Sequence, residues 1–166
     1  MDRLAIVALL AAATLAAACA RTARVESGPS VGEQEVVGIV RQIGSTPFPR
    51  TVIEGEETVT VTGEYEAELT RLVGARVRAA GEFTTGPMPG RYLSVESYEL
   101  LDVDGVEPEM GILRHDERGY RLERADGESL PLAAVSEGLA KAVGGKVWVV
   151  LGEGGVVERY GIIVDP

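Results

Sequence analysis

The chain writes one phrase twice. An amphipathic stretch, "ELTRLV", runs into "GARVRAAGEF" from Gly74, and 70 residues later "GLAKAV" runs into "GKVWVVLGEG". Each phrase is a short helix, a glycine and a strand that closes on Gly-Glu. The match extends outward. "GIVRQ" at Gly38 matches "GILRH" at Gly111, Gly55-Glu56 matches Gly127-Glu128, Leu69 matches Leu139, Val77 matches Val147, and Gly81-Glu82 matches Gly152-Glu153. The offsets stay between 70 and 73 throughout. With 21 glycines some coincidence is expected, but here order, spacing and hydrophobic pattern agree together. The expectation is a duplicated unit, spanning 35–105 and 106–166. The copies differ most near their ends, where "TTGPMPGRYLSVESYELL" shrinks to "GGVVERYGIIV".

Periodicity identifies the elements. "TVTVTGE" puts Val59 and Val61 on one face and Thr58, Thr60 and Thr62 on the other, the alternation of a half-buried strand. "VVGIVRQI", "ARVRAAGEF" and "RYLSVESYELL" are also β-rich. Helical spacing occurs only in "YEAELTRLV", where Tyr65, Leu69 and Leu72 share a face. The order is β-β-β-α-β-β. It repeats as "MGILRHD", "YRLER", "ESLPLA", the helix "SEGLAKAV", "KVWVVLG" and "VVERYGIIV". Ser136 is expected to cap the second helix, and Gly74 and Gly144 to stop the two helices in a left-handed conformation. The fold class is therefore all-β with one short helix per repeat.

One helix between the third and fourth strands resembles the OB-fold, a five-stranded barrel plugged at one end by its helix. The resemblance implies two tandem five-stranded OB-like barrels. It also implies a binding face over strands 2 and 3, flanked by the loops 1-2 and 4-5. Family members bind oligonucleotides, oligosaccharides or proteins, so the fold does not select the ligand. In the first copy those loops are "STPFPR" and "TTGPMPGR". Phe48 and Met88 are expected to offer apolar contacts there, with Arg50 and Arg91 as charged partners at the rim, since binding hot spots favour aromatic and arginine side chains. The competing reading folds Phe48 over the barrel mouth and leaves Pro47 and Pro49 to shape a turn. The second copy has only "ERG" and "EGGV" at these places, as a supporting or dimerising unit would.

The N-terminus, "MDRLAIVALLAAATLAAACA", has a short polar start, an apolar run and small residues before Cys19, the pattern of an export signal over 1–19. Its end, "AAAC", resembles the lipobox of bacterial lipoproteins. The family prefers Leu three residues before the cysteine, whereas Ala16 stands there and Leu15 one place earlier. The resemblance implies acylation of Cys19 and anchoring in the lipid bilayer by more than one chain. Ala20 is not the Asp that retains such proteins at the inner membrane, which implies an outer-membrane address facing the periplasm. Cleavage after Ala20, giving a secreted protein, and an uncleaved short anchor are the alternatives. Residues 20–34 read as a flexible tether.

Charge and chemistry exclude more than they select. Residues 35–105 carry 6 Arg against 12 acids, and 106–166 carry 7 Lys plus Arg against 11, so neither copy suits a nucleic acid. Cys19 is the single cysteine, which leaves no intrachain disulfide and no cysteine cluster for zinc. Asp102, Asp104, Glu107 and Glu109 gather at the junction of the copies, but the pattern lacks the third ligand and terminal Glu of a calcium loop, so a solvated turn is expected and no metal. A hydrolase would have to use His115, the single histidine, beside Asp116. Trp148, in the place of Arg78, reads as an interface or core filler. The expectation is a noncatalytic envelope lipoprotein without cofactor that binds an envelope protein partner. A saccharide or small-ligand binding module is the alternative.

Overall fold

The computed structural model describes residues 34–166. The expected signal segment, Cys19 and residues 20–33 of the expected tether lie outside the described residues. Gln34, assigned above to the tether, already begins a strand.

The first five strands are β1 (Gln34–Ile43), β2 (Arg50–Glu54), β3 (Thr58–Thr62), β4 (Arg76–Thr84) and β5 (Arg91–Asp102), with helix α1 (Glu66–Thr70) between β3 and β4. They form a closed barrel in the order β1-β2-β3-β5-β4. β1 makes closure possible by serving two neighbours. Its first half pairs with β4, from Gln34↔Gly81 to Ile39↔Arg76, and its second half with β2, from Ile39↔Glu54 to Ile43↔Arg50. A parallel ladder of β3 with β5, Val59↔Arg91 to Thr62↔Ser94, seals the other side.

Alternation sends one set of side chains inward. Val40, Ile53, Val59, Val61, Val77, Ala79, Leu93 and Val95 form the core with Leu69 and Leu72, which the α1 segment delivers. Burying a side chain of this size contributes about 1.5–3 kcal/mol, so the inward row outweighs any single polar contact. The helix segment is pinned to β1 by Val40 N–H to Ala75 O and Gly74 N–H to Val40 O, both 2.9 Å. The helix itself ends at Thr70 with Arg71 as C-cap, and Gly74, past the following turn, takes the expected left-handed conformation at φ +95.

The second copy repeats these elements as β6 (Glu109–Asp116), β7 (Gly119–Glu123), β8 (Ser129–Leu132), α2 (Glu137–Ala140), β9 (Lys146–Leu151) and β10 (Val157–Val164). Its anchoring bonds take the equivalent positions: Leu113 N–H to Gly145 O at 3.0 Å and Gly144 N–H to Leu113 O at 2.8 Å. Gly144 has φ +96, and the Ser136 hydroxyl accepts from Leu139 N–H, the expected cap.

Closure is where the second copy departs from expectation. Its strands form a five-stranded sheet in the order β10-β9-β6-β7-β8. β8 and β10 form no ladder; only the residues flanking them join, through the isolated parallel bridge Ala134↔Val156 and the bond from Ala133 N–H to Gly155 O. The reason is local. β8 has four residues, one of them Pro131, which lacks the N–H a ladder needs. A 3-10 turn, Glu153–Gly155, occupies the approach to β10. The second of the two expected barrels is thus an open sheet among the described residues.

Each sheet has its own core, and the second unit also contributes to the first. Ile163 of β10 is 2% exposed and belongs to the core of the first barrel, and Met110 and Trp148 pack against that core. Lys146 Nζ lies 2.6 Å from Glu68 Oε2, and the Tyr98 hydroxyl donates to the same oxygen at 2.6 Å. Arg71 pairs with Asp165 at 2.7 Å, and Arg159 with Asp104 at 3.1 Å.

Candidate functional site

The strand register decides how the two loops of the first barrel stand. β1 ends where the 1-2 loop begins, and β4 runs antiparallel to β1, so the 4-5 loop leaves the barrel at the opposite end. Phe48 and Arg50 therefore stand at one end of the wall made by β2, β3 and β5, with Met88 and Arg91 at the other. The four residues bracket that wall and do not converge on one point.

Their environments differ. Phe48 is 79% exposed, so it does not fold over the barrel. Met88 is 46% exposed. Arg50 opens β2 opposite Ile43 and is half-buried. Arg91 opens β5 and is already engaged: its guanidinium stacks on the Phe83 ring, 3.9 Å from the centroid, and pairs with Glu57. Phe83 packs at the edge of the core, and the sequence reading missed it as a platform because it sits near the end of a strand that reads as core.

Around Arg91 the barrel end opens into a groove of about 830 Å³, lined in part by Val36, Gly38, Val59, Phe83, Glu56 and Glu57. A Cβ on Gly38 would overlap the Glu54 carbonyl, and one on Gly55 the Val37 carbonyl, so these glycines let β1 and the β2–β3 turn touch along the groove. Its carboxylates are mostly matched. Glu57 binds Arg91, Glu54 binds Arg41 at 3.3 Å, and Glu35 lies 3.4 Å from Arg78. The result is a groove of mixed charge with an aromatic floor.

A second cleft, about 350 Å³, lies between the sheets and is lined by Tyr65, Tyr98, Met110, Arg114, Arg124 and Lys146. Tyr65 and Tyr98 meet edge to face at 5.6 Å, and the Lys146 ammonium stands 4.7 Å from the Tyr98 ring centre. Burial first, then the hydrogen bond to Glu68, push the Tyr98 phenol far above its ordinary value, so it remains a donor. No sequence pattern links Glu68 to Lys146, which are 78 residues apart.

The remaining candidates are structural in setting. Asp102 accepts from Gly105 N–H at 3.1 Å within a turn, Asp104 binds Arg159, and Glu109 binds Arg124 at 3.1 Å. Among the described residues no group of three or more His, Cys, Asp or Glu is placed to hold a metal ion. His115 is exposed on β6, with its ring 4.2 Å from that of its cross-strand partner Tyr120. Trp148 lies between Met110 and Gly161 in the sheet, and a side chain on Gly161 would strike its indole. Trp148 is a filler at the junction of the sheets. Among the described residues no helix is long and apolar enough to cross a membrane, which leaves strands out of account.

Compared with family models, with curated proteins and with solved structures, the chain matches none.

Proposed function

We propose that this protein is a noncatalytic interaction module of the bacterial cell envelope, built from two OB-like units and anchored by lipid on Cys19. The strand order β1-β2-β3-β5-β4, the parallel β3–β5 closure and the helix between β3 and β4 support the OB-like reading of the first unit. The second unit is OB-like in element order with its seam left open. The observation that carries the interaction reading is Phe48, 79% exposed on a loop bordered by Pro47 and Pro49. An exposed aromatic on a short, proline-stiffened loop loses little entropy on contact, which is how an anchor residue gains affinity. A protein partner lying along the β2–β3–β5 wall would touch Phe48 at one end and Met88 at the other.

In-cell cross-linking of the full-length protein, followed by mass spectrometry, tests this. A reproducible protein partner cross-linked at 45–50 or 85–90, and lost in Phe48→Ala with Met88→Ala, is the expected result. Partner recovery that is indifferent to both substitutions sinks it. The anchoring part is separate: Cys19→Ser is expected to release the protein from the membrane and lower its mature mass, and unchanged fractionation and mass would overturn lipidation.

The groove at the Arg91 end favours a second reading, binding of a saccharide or other small ligand, because the stacked Arg91–Phe83 pair and the mostly matched charges offer apolar contact and hydrogen bonds together. Glycan arrays probed with wild type and Phe83→Ala separate this reading from the first.

A further inference from the structure

Tyr92 is the oddest residue on the first barrel. It is 3% exposed, yet it is not part of the barrel core, because its neighbour Leu93 takes the inward position. The register sets it beside Thr60, which faces Val52, on the outer side of the β2–β3–β5 wall. Its hydroxyl is buried and finds no hydrogen-bond partner among the described residues.

What covers it is the 4-5 loop. Gly86 lies so close to the phenol that a Cβ built there would overlap the face of the Tyr92 ring. Residues 85–90 make no hydrogen bond to another described residue, so contact alone holds the loop down. Gly90, at φ +142 with open space around it, and Gly86 give the loop two glycine pivots beside its two prolines.

We infer that residues 85–90 form a strap that opens over the outer wall of the first barrel and uncovers Tyr92. An orphaned buried phenol raises the free energy of the closed state, and opening returns that hydroxyl to water. A loop without hydrogen bonds belongs to the least stable part of a fold, where local opening precedes global unfolding. The bias lies in Tyr92 and the freedom to move in the six residues that cover it. The inference concerns the chain's own equilibrium and stands whether or not the partner proposed above exists.

Nitration of the full-length protein by tetranitromethane, with each tyrosine located by mass spectrometry, tests the strap. Local opening exposes little surface, so Tyr92 is expected to react at a rate that hardly changes with urea below the unfolding midpoint. Gly86→Ala keeps an ordinary backbone conformation but forces the loop and ring apart. It is expected to raise the Tyr92 rate about tenfold while leaving Tyr120 and Tyr160 unchanged. Modification of Tyr92 only in proportion to global unfolding, or a Gly86→Ala rate equal to wild type, overturns the strap. Should Gly86→Ala fail to fold, the wild-type urea series decides alone.

Discussion

Gly38 and Gly111 occupy equivalent places, and each is a glycine for the same reason: a Cβ would overlap the carbonyl oxygen of Glu54 in one copy and Glu123 in the other. Both mark a close approach of the first strand of a unit to the end of the second. Alanine at either position forces backbone apart in a ladder, so Gly38→Ala and Gly111→Ala are each expected to cost about 2–3 kcal/mol in urea unfolding. Gly105 has open space around it but φ +77, so its alanine variant reports backbone strain alone. A cost at Gly38 and Gly111 below that of Gly105→Ala would show that the approach is easily relaxed. The pairing of these glycines was legible in the sequence. Their role was not, because a glycine needed for closeness and one needed for a left-handed turn look alike in one dimension. Tyr92 was illegible for a related reason: only the return of a loop 85–90 onto its own strand distinguishes a covered outer tyrosine from a core one.

The strands and helices themselves were readable, since each rests on a local signal. Val59 and Val61 are 1% exposed and alternate with threonines, and Ser136 caps α2 through Leu139 N–H at 3.3 Å. Ser136→Ala is expected to cost about 1 kcal/mol in thermal or urea unfolding. A loss below a few tenths would mean that the 3.3 Å bond adds little to α2. Barrel closure was not readable, because it depends on whether the last strand of a unit reaches the third, and Pro131 with the 3-10 turn prevents that in the second copy. The β6–β7 hairpin carries its own electrostatic signature. Asp116 is held below the ordinary carboxylate range chiefly by the Arg118 N–H, and Glu123 chiefly by its hydrogen bond from Arg114. A lowered folded-state pKa stabilises above the unfolded value and is lost as pH falls toward the folded one. Stability is therefore expected to hold above the ordinary carboxylate range and to drop below about pH 4. Urea midpoints measured from pH 7 to pH 3 should fall less steeply at the acid end in Arg114→Gln than in wild type. Parallel pH curves would remove Glu123 from the account.

At the scale of the molecule, the question is whether two units of the same element order behave as one. Ile163 completes the core of the barrel from the far end of the chain, so the second unit supplies part of the first unit's interior. Lys146, Glu68 and Tyr98 close the same junction at 23% and 20% side-chain exposure for the ion pair, which excludes most but not all water. Removing one partner leaves Glu68 charged beside tyrosine rings. For a fully buried pair that costs about 3–5 kcal/mol, and the remaining solvent reduces it here, so Lys146→Met is expected to destabilise by about 2 kcal/mol. Adding Glu68→Gln removes the stranded charge while keeping an acceptor for Tyr98, and the double variant should recover at least half of the loss. Trp148 is the single tryptophan and sits at this junction. Its fluorescence and far-UV circular dichroism should unfold together in wild type and separate in Lys146→Met, as cooperativity between the units weakens. If the single variant is as stable as wild type and the two signals stay coincident, the ion pair is dispensable and packing of Ile163, Met110 and Trp148 alone joins the units. If the signals separate, the units are coupled through a few charged and aromatic side chains, and the orientation of the loops that carry Phe48 and Met88 relative to the second sheet is fixed by chemistry at the junction.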